Sequence, residues 1–141
     1  MSAAFEEWQR EFLLSGRLTA AVATVRPDGS PHVKPVWFSL DEDVIVFTTH
    51  EATVAGRNLA RERRVALSVD EFEPAGTFVV VRGMAELVTD QELVRFWAGR
   101  LGGRYLGESR AEDSAARNGV PGELLVRVTP SRISGARGIA D

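Results

Sequence analysis

The apolar and polar positions divide the chain into six strand-like and four helical segments. Phe5, Trp8, Phe12 and Leu13 recur at helical spacing, so residues 3–14 are predicted to form an amphipathic helix that Ser15-Gly16 ends. Residues 18–25 read as a buried strand, Arg26-Pro27-Asp28-Gly29-Ser30 as a turn, and residues 31–40 as the return strand. Pro31 and Pro35 have no N–H to give to a ladder, so this strand belongs at an edge or a bulge. Asp41-Glu42-Asp43 turns the chain into a β-branched and aromatic strand over 44–49.

Thr53 then caps a short helix, and a strand follows near 65–70. After a loop over 71–76, residues 77–88 predict a long strand, with Gly83 in its middle marking a bulge or sharp bend. Thr89-Asp90-Gln91-Glu92 is a capping box before a helix with Leu93, Phe96, Trp97 and Leu101 on one face. Ser109-Arg110-Ala111-Glu112 reads as a second box, with Asn118-Gly119 as its stop. The last strand is expected at 124–128, followed by a polar tail. Hairpin-joined strands with helices at the ends and one across a gap predict a mainly β fold with flanking helices, a six-stranded antiparallel barrel in one domain.

At 141 residues, 44% apolar and 26% charged, the chain has the make-up of a globular domain with a real core. No stretch approaches a membrane span of about 20 apolar residues, and the acidic start is unlike a secretory signal, so a cytoplasmic location is expected. A net charge of −3 without a basic stripe argues against nucleic acid. Absence of cysteine excludes disulfides, thiolate metal sites and a cysteine nucleophile. Two histidines, His32 and His50, are too few for a zinc site without carboxylate help, so no metal is expected. Lys34 is the only lysine among 17 basic residues, which with the Ala, Gly and Val content suggests a GC-rich genome.

The candidate chemistry lies at Thr48-Thr49-His50-Glu51-Ala52-Thr53-Val54-Ala55-Gly56-Arg57-Asn58-Leu59. A helix capped by Thr53 turns its first amides outward, and free N–H groups with the positive dipole end attract anions. Arg57, one turn in, adds a charged donor suited to a phosphate oxygen. Gly56 costs about 1 kcal/mol against Ala inside a helix, which close approach of a ligand would excuse. An ordinary capped connector with a surface arginine is the competing reading. No Ser-His-Asp order, paired acidic motif or Walker loop is visible.

The order of these pieces resembles the pyridoxamine 5′-phosphate oxidase-like split β-barrel family, and within it the actinobacterial branch of flavin and deazaflavin (F420)-dependent oxidoreductases. The matching pieces are Thr24-Val25-Arg26-Pro27-Asp28-Gly29-Ser30-Pro31-His32-Val33, Pro35-Val36-Trp37-Phe38, Gly56-Arg57-Asn58-Leu59-Ala60-Arg61, Val81-Arg82-Gly83-Met84-Ala85-Glu86 and Arg104-Tyr105-Leu106-Gly107. The resemblance implies a six-stranded split barrel that forms a homodimer, with F420 or FMN in a groove at the interface. It puts His32, Val33, Lys34, Pro35 and Val36 under the ring, Thr48 and Thr49 on the way to the phosphate, and Thr53, Arg57 and Asn58 around it. Phe78 stands where the family often places an aromatic that reaches the groove.

One departure matters. Relatives commonly carry a phosphate-pairing lysine two residues before Arg-Asn-Leu, and here that residue is Ala55. Losing that cation removes charge-assisted bonds worth about 1.5–3 kcal/mol each. Lys34 is the candidate substitute, although an edge-strand lysine is also a common guard against aggregation. Trp37 flanks a ring pocket, a dimer seam or the core; Tyr105 closes the groove or caps the barrel; Arg104 meets an anionic tail or a surface partner.

The function implied is hydride transfer between F420, or secondly FMN, and a small organic acceptor. The cofactor carries the reactivity, so no catalytic side chain is expected. The alternative is a non-catalytic barrel that carries a flavin or binds haem.

Overall fold

The computed structural model describes residues 2–140. Four helices, α1 (Glu7–Leu14), α2 (Val54–Arg61), α3 (Gln91–Leu106) and α4 (Ala111–Asn118), flank seven strands: β1 (Ala20–Val25), β2 (Pro31–Val36), β3 (Ser39–Asp41), β4 (Val44–His50), β5 (Arg64–Glu71), β6 (Thr77–Val88) and β7 (Glu123–Ala136). All pairings are antiparallel, in the order β2-β1-β5-β6-β7-β4-β3. The two edge strands are neighbours in the chain, with only Trp37 and Phe38 between them. Three residue steps span at most about 11 Å, so the sheet must curl until its edges nearly meet. It does not close: among the described residues no ladder joins β2 to β3 or β4.

Inside the curl lie Val22, Phe38, Ile45, Phe47, Leu59, Leu67, Val79, Val81, Val126 and Val128, with Phe5 and Leu13 of the N-terminal segment over one end. Trp8 and Phe12 are partly buried against the same core, so the predicted apolar stripe is used as read. A second, smaller core forms where α3 covers the outer face of β4 and β7, joining Val46, Leu125, Val94 and Trp97. Helix α2 touches β1, β2, β4 and β6, which puts it across the open side of the sheet.

Several expectations change. There are seven strands, not six, because the predicted return strand breaks after Val36. The Phe38 N–H goes to the Tyr105 hydroxyl at 3.2 Å and its carbonyl accepts from Arg104 at 2.6 Å, which takes this residue's backbone out of the ladder. The chain beyond residue 128 is strand rather than tail, since the 12-residue β6 offers a partner as far as Ala136. The bend at Gly83 is present as a register shift. Arg82 pairs with Arg132 and Gly83 with Pro130, which leaves Ser131 as the extra residue. A Cβ on Gly83 would lie 2.3 Å from the Thr129 carbonyl oxygen.

The helices also begin differently. Helix α1 starts at Glu7, four residues later than read, because Ala3 donates to Pro130 O and keeps the preceding segment extended along β7. Asp90, not Thr89, caps α3, accepting from Glu92 N and Leu93 N. On α3 the buried face is Val94, Trp97, Ala98, Leu101 and Tyr105, whereas Leu93 and Phe96 are about half exposed. The Ser109 box does not form, because Glu108–Arg110 winds as a 3-10 turn and α4 begins after it.

Candidate functional site

Strand β4 ends in Thr48, Thr49 and His50, and the chain turns at once into α2. The Thr53 hydroxyl donates to His50 O at 2.8 Å, and accepts from Gly56 N at 3.0 Å and from the Thr49 hydroxyl at 2.8 Å. His50 Nδ1 accepts from Ala52 N at 3.0 Å, which tightens the same turn. The backbone of Thr53 closes the first helical turn by accepting from Arg57 N at 2.9 Å. The amides of Val54 and Ala55 find no acceptor among the described residues, as a helix start requires if it is to meet an anion.

Gly56 has a different cause from the one its sequence context suggested. A Cβ there would stand 2.4 Å from His50 O and 3.1 Å from the Glu51 Cα, so glycine lets α2 pack on its own entering turn rather than on a ligand. Asn58 is buried and donates its amide to the Thr24 hydroxyl at 3.0 Å. Ala55 is buried too, at 4% exposure. Arg57 points outward and lines a cavity of about 360 Å³ with Arg26, Pro27, Val54, Asn58 and Arg61. No acidic residue lines it, and none of its three arginines has a salt bridge among the described residues. Asp28 accepts from Ser30 and Glu62 from Arg64, and each also feels the charge of a lining arginine, Arg26 and Arg61 respectively.

Strand β2 is the edge expected from its prolines. His32, Lys34 and Val36 stand opposite Thr24, Val22 and Ala20 and so share the inward face of the sheet, while Val33 and Pro35 take the outer face. The Nδ1 of His32 is buried and unpartnered, an orphan polar atom on the strand assigned to the ring. Lys34, Pro35, Val36, Trp37 and Thr48 line a second cavity, of about 200 Å³, which is distinct from the arginine-lined one. The cations beside the α2 start are therefore Arg57, Arg26 and Arg61, and Lys34 opens elsewhere. Phe78 lies on the outer face, between Asp70 and Ala136, and lines neither cavity.

Tyr105 and Arg104 fasten the fold. The Tyr105 hydroxyl donates to Leu18 O and accepts from Phe38 N, and its ring stacks on Trp37 with centroids 4.7 Å apart. Burial raises its pKa above the phenolic value of 10.0. Arg104 donates to the carbonyls of Phe38 at 2.6 Å and Leu13 at 2.7 Å, so it clamps the end of α1 rather than an anionic tail. Sequence reading passed over Ser114 and Asn118, which complete the lining of the 200 Å³ cavity. Their signal was an i, i+4 pair of small polar residues on one face of α4.

The pyridoxamine 5′-phosphate oxidase family model matches residues 5–136. The chain belongs to this family. A pyridoxine/pyridoxamine 5′-phosphate oxidase from a Chelativorans species is 30% identical over 119 residues, covering 82% of this chain and 56% of the relative. The chain thus spans about half the length of that curated relative. Among solved structures, an F420 reductase is 32% identical with a TM-score of 0.70, covering 88% of this chain and 94% of the other. A conserved hypothetical protein from Mycobacterium tuberculosis has a TM-score of 0.82 at 23% identity, covering 98% and 88%, and shares the fold. No helix among the described residues is long and apolar enough to cross a membrane.

Proposed function

We propose that this member of the family is an oxidoreductase of the actinobacterial flavin and deazaflavin branch. It would bind F420 first and FMN second, and exchange a hydride with a small organic acceptor. The observation that carries this reading is the start of α2: two free amides, a Thr53 cap and three arginines with no acidic residue between them. That donor set suits a phosphate. Resemblance to an F420 reductase at 32% identity supports the order of the two cofactors.

In this reading Thr53 holds the amides of Val54 and Ala55 toward the phosphate, and Arg57 adds a charged donor. Arg26 and Arg61 supply the positive potential that the lysine replaced by Ala55 would have given. His32 joins the floor under the ring, with its Nδ1 turned inward and buried. Val33, Lys34, Pro35 and Val36 support the ring, Thr48 and Thr49 line the approach, and Phe78 reaches it across the subunit seam. The cofactor supplies the hydride chemistry, so no side chain is assigned as acid or base.

A second copy of the chain completes the groove. Val33, 62% exposed, heads a row that continues across Ala23 on β1 and Ala66 on β5. Such an open apolar row on an edge strand is what a homodimer would cover.

Native mass spectrometry of the protein mixed with F420, FMN or haem tests this directly. A dimer carrying F420 or FMN is expected. Haem uptake with neither flavin-type cofactor would favour the carrier alternative, and a 15.4 kDa monomer at micromolar concentration would remove the shared groove.

A further inference from the structure

The 200 Å³ cavity lies between β2, the outer face of β4 and the α3–α4 hairpin. Glycine sets its depth. A Cβ on Gly102 would fall 2.0 Å from the Ser114 Oγ, and one on Gly99 3.3 Å from the Ala115 Cβ, so α4 can lie directly on α3. Ser114 is thereby carried inward to 7% exposure. Asn118 follows one turn later on the same face and lines the same space. On the other side stand Lys34 and Thr48, with Trp37 held in place by its stack on Tyr105.

The chemistry of this lining is one-sided. Lys34 and Asn118 have no salt bridge among the described residues, and Ser114, more than nine-tenths buried, sets its hydroxyl against Gly102 of α3 at the cavity wall. No aspartate or glutamate lines the cavity. Lys34, Thr48, Ser114 and Asn118 are the polar aliphatic side chains of its lining. The remaining walls are apolar: Pro35, Val36, Ala98 and Leu101. The volume equals roughly seven waters, so the occupant has roughly six to ten non-hydrogen atoms.

We infer that this cavity is the acceptor subsite and takes a small organic carboxylate. The ammonium of Lys34 meets its charge, Ser114 and Asn118 bond its oxygens, and Val36, Leu101 and Trp37 enclose its apolar body. The assignment rests on the reading of β2 as the floor of the cofactor groove, since Lys34 and Val36 would then face both ring and acceptor. The α3–α4 hairpin becomes the specificity element, distinct from the α2 start that holds the phosphate.

The test titrates isobutyrate, benzoate and the neutral isostere isobutyramide into the dimer, followed by amide chemical shifts. Isobutyrate should saturate and shift the amides of Ser114 and Asn118, and isobutyramide should bind about tenfold more weakly, the worth of one charge-assisted bond. Lys34→Gln should weaken isobutyrate by about tenfold or more, and Asn118→Asp, an isostere that sets a like charge against the ligand, should abolish it. Equal shifts from acid and amide, or unchanged affinity in both variants, would overturn the inference. Native mass spectrometry of Asn118→Asp separates the two readings. Retained F420 or FMN with lost isobutyrate supports a separate acceptor subsite, whereas loss of the cofactor assigns the cavity to the ring and overturns it. Isobutyrate binding by a wild type that takes neither cofactor sinks the flavin reading and, with it, the acceptor role.

Discussion

Asn58 on α2 donates its side-chain amide to the hydroxyl of Thr24 on β1 across 3.0 Å, and both residues are only 2% exposed. This one bond fixes how the helix lies over the open side of the sheet. It uses one of the two amide hydrogens of Asn58, which still lines the arginine-bearing cavity. Asn58→Ala leaves the Thr24 hydroxyl without its partner in a dry site and should cost about 1–3 kcal/mol of stability. Urea unfolding measures it, and the double variant Thr24→Val, Asn58→Leu should recover part of the loss. Wild-type stability in Asn58→Ala would mean that α2 is held by packing alone.

Arg57 behaves in the opposite way. Its side chain is exposed and without a salt bridge, so Arg57→Ala should leave the melting temperature unchanged. Affinity for F420 or FMN should fall by about 1.5–3 kcal/mol, and the difference should shrink as salt rises. Equal affinity, measured by fluorescence titration, would move the anion away from the start of α2.

Arg104 should prove a stabilising clamp between α1 and the segment after β2. Its guanidinium reaches two carbonyls from different elements and lies 4.8 Å from the Phe38 ring centre. Lysine offers a single point and cannot span both acceptors. Arg104→Lys is expected to lower stability by about 1.5–3 kcal/mol, the loss of at least one charged hydrogen bond. An unchanged urea midpoint would show the clamp to be dispensable.

Glu123 supplies a pH signature. Burial raises its pKa above 4.5, with His50 and the Thr48 hydroxyl pulling the other way. A carboxyl whose folded pKa lies above its unfolded value binds more protons in the native state, so its contribution to stability falls as pH rises from 4.5 through the folded value. Glu123→Gln should flatten that slope and match or exceed the wild type at neutral pH. A variant whose stability tracks the wild type at every pH would show that Glu123 titrates as an exposed group.

Local sequence patterns determined most of the strand positions, the edge location of the proline-bearing β2, the Thr53 cap and the irregularity at Gly83. Each rests on local chemistry: alternation, a missing N–H, a side-chain oxygen beside free amides, a missing Cβ. The family was legible for the same reason, because its motifs are runs of adjacent residues. What lay beyond the sequence depends on partners far along the chain. Phe38 leaves the ladder because Tyr105 and Arg104, 67 and 66 residues away, take its backbone groups. The polar stretch after residue 128 becomes strand because β6 is long enough to pair it. Gly56 serves its own entering turn, and Lys34 opens on α4 rather than on Arg57, because the curl of the sheet sets which elements face each other. Local bonding is written residue by residue, whereas the lining of a cavity is decided only when distant elements are packed together.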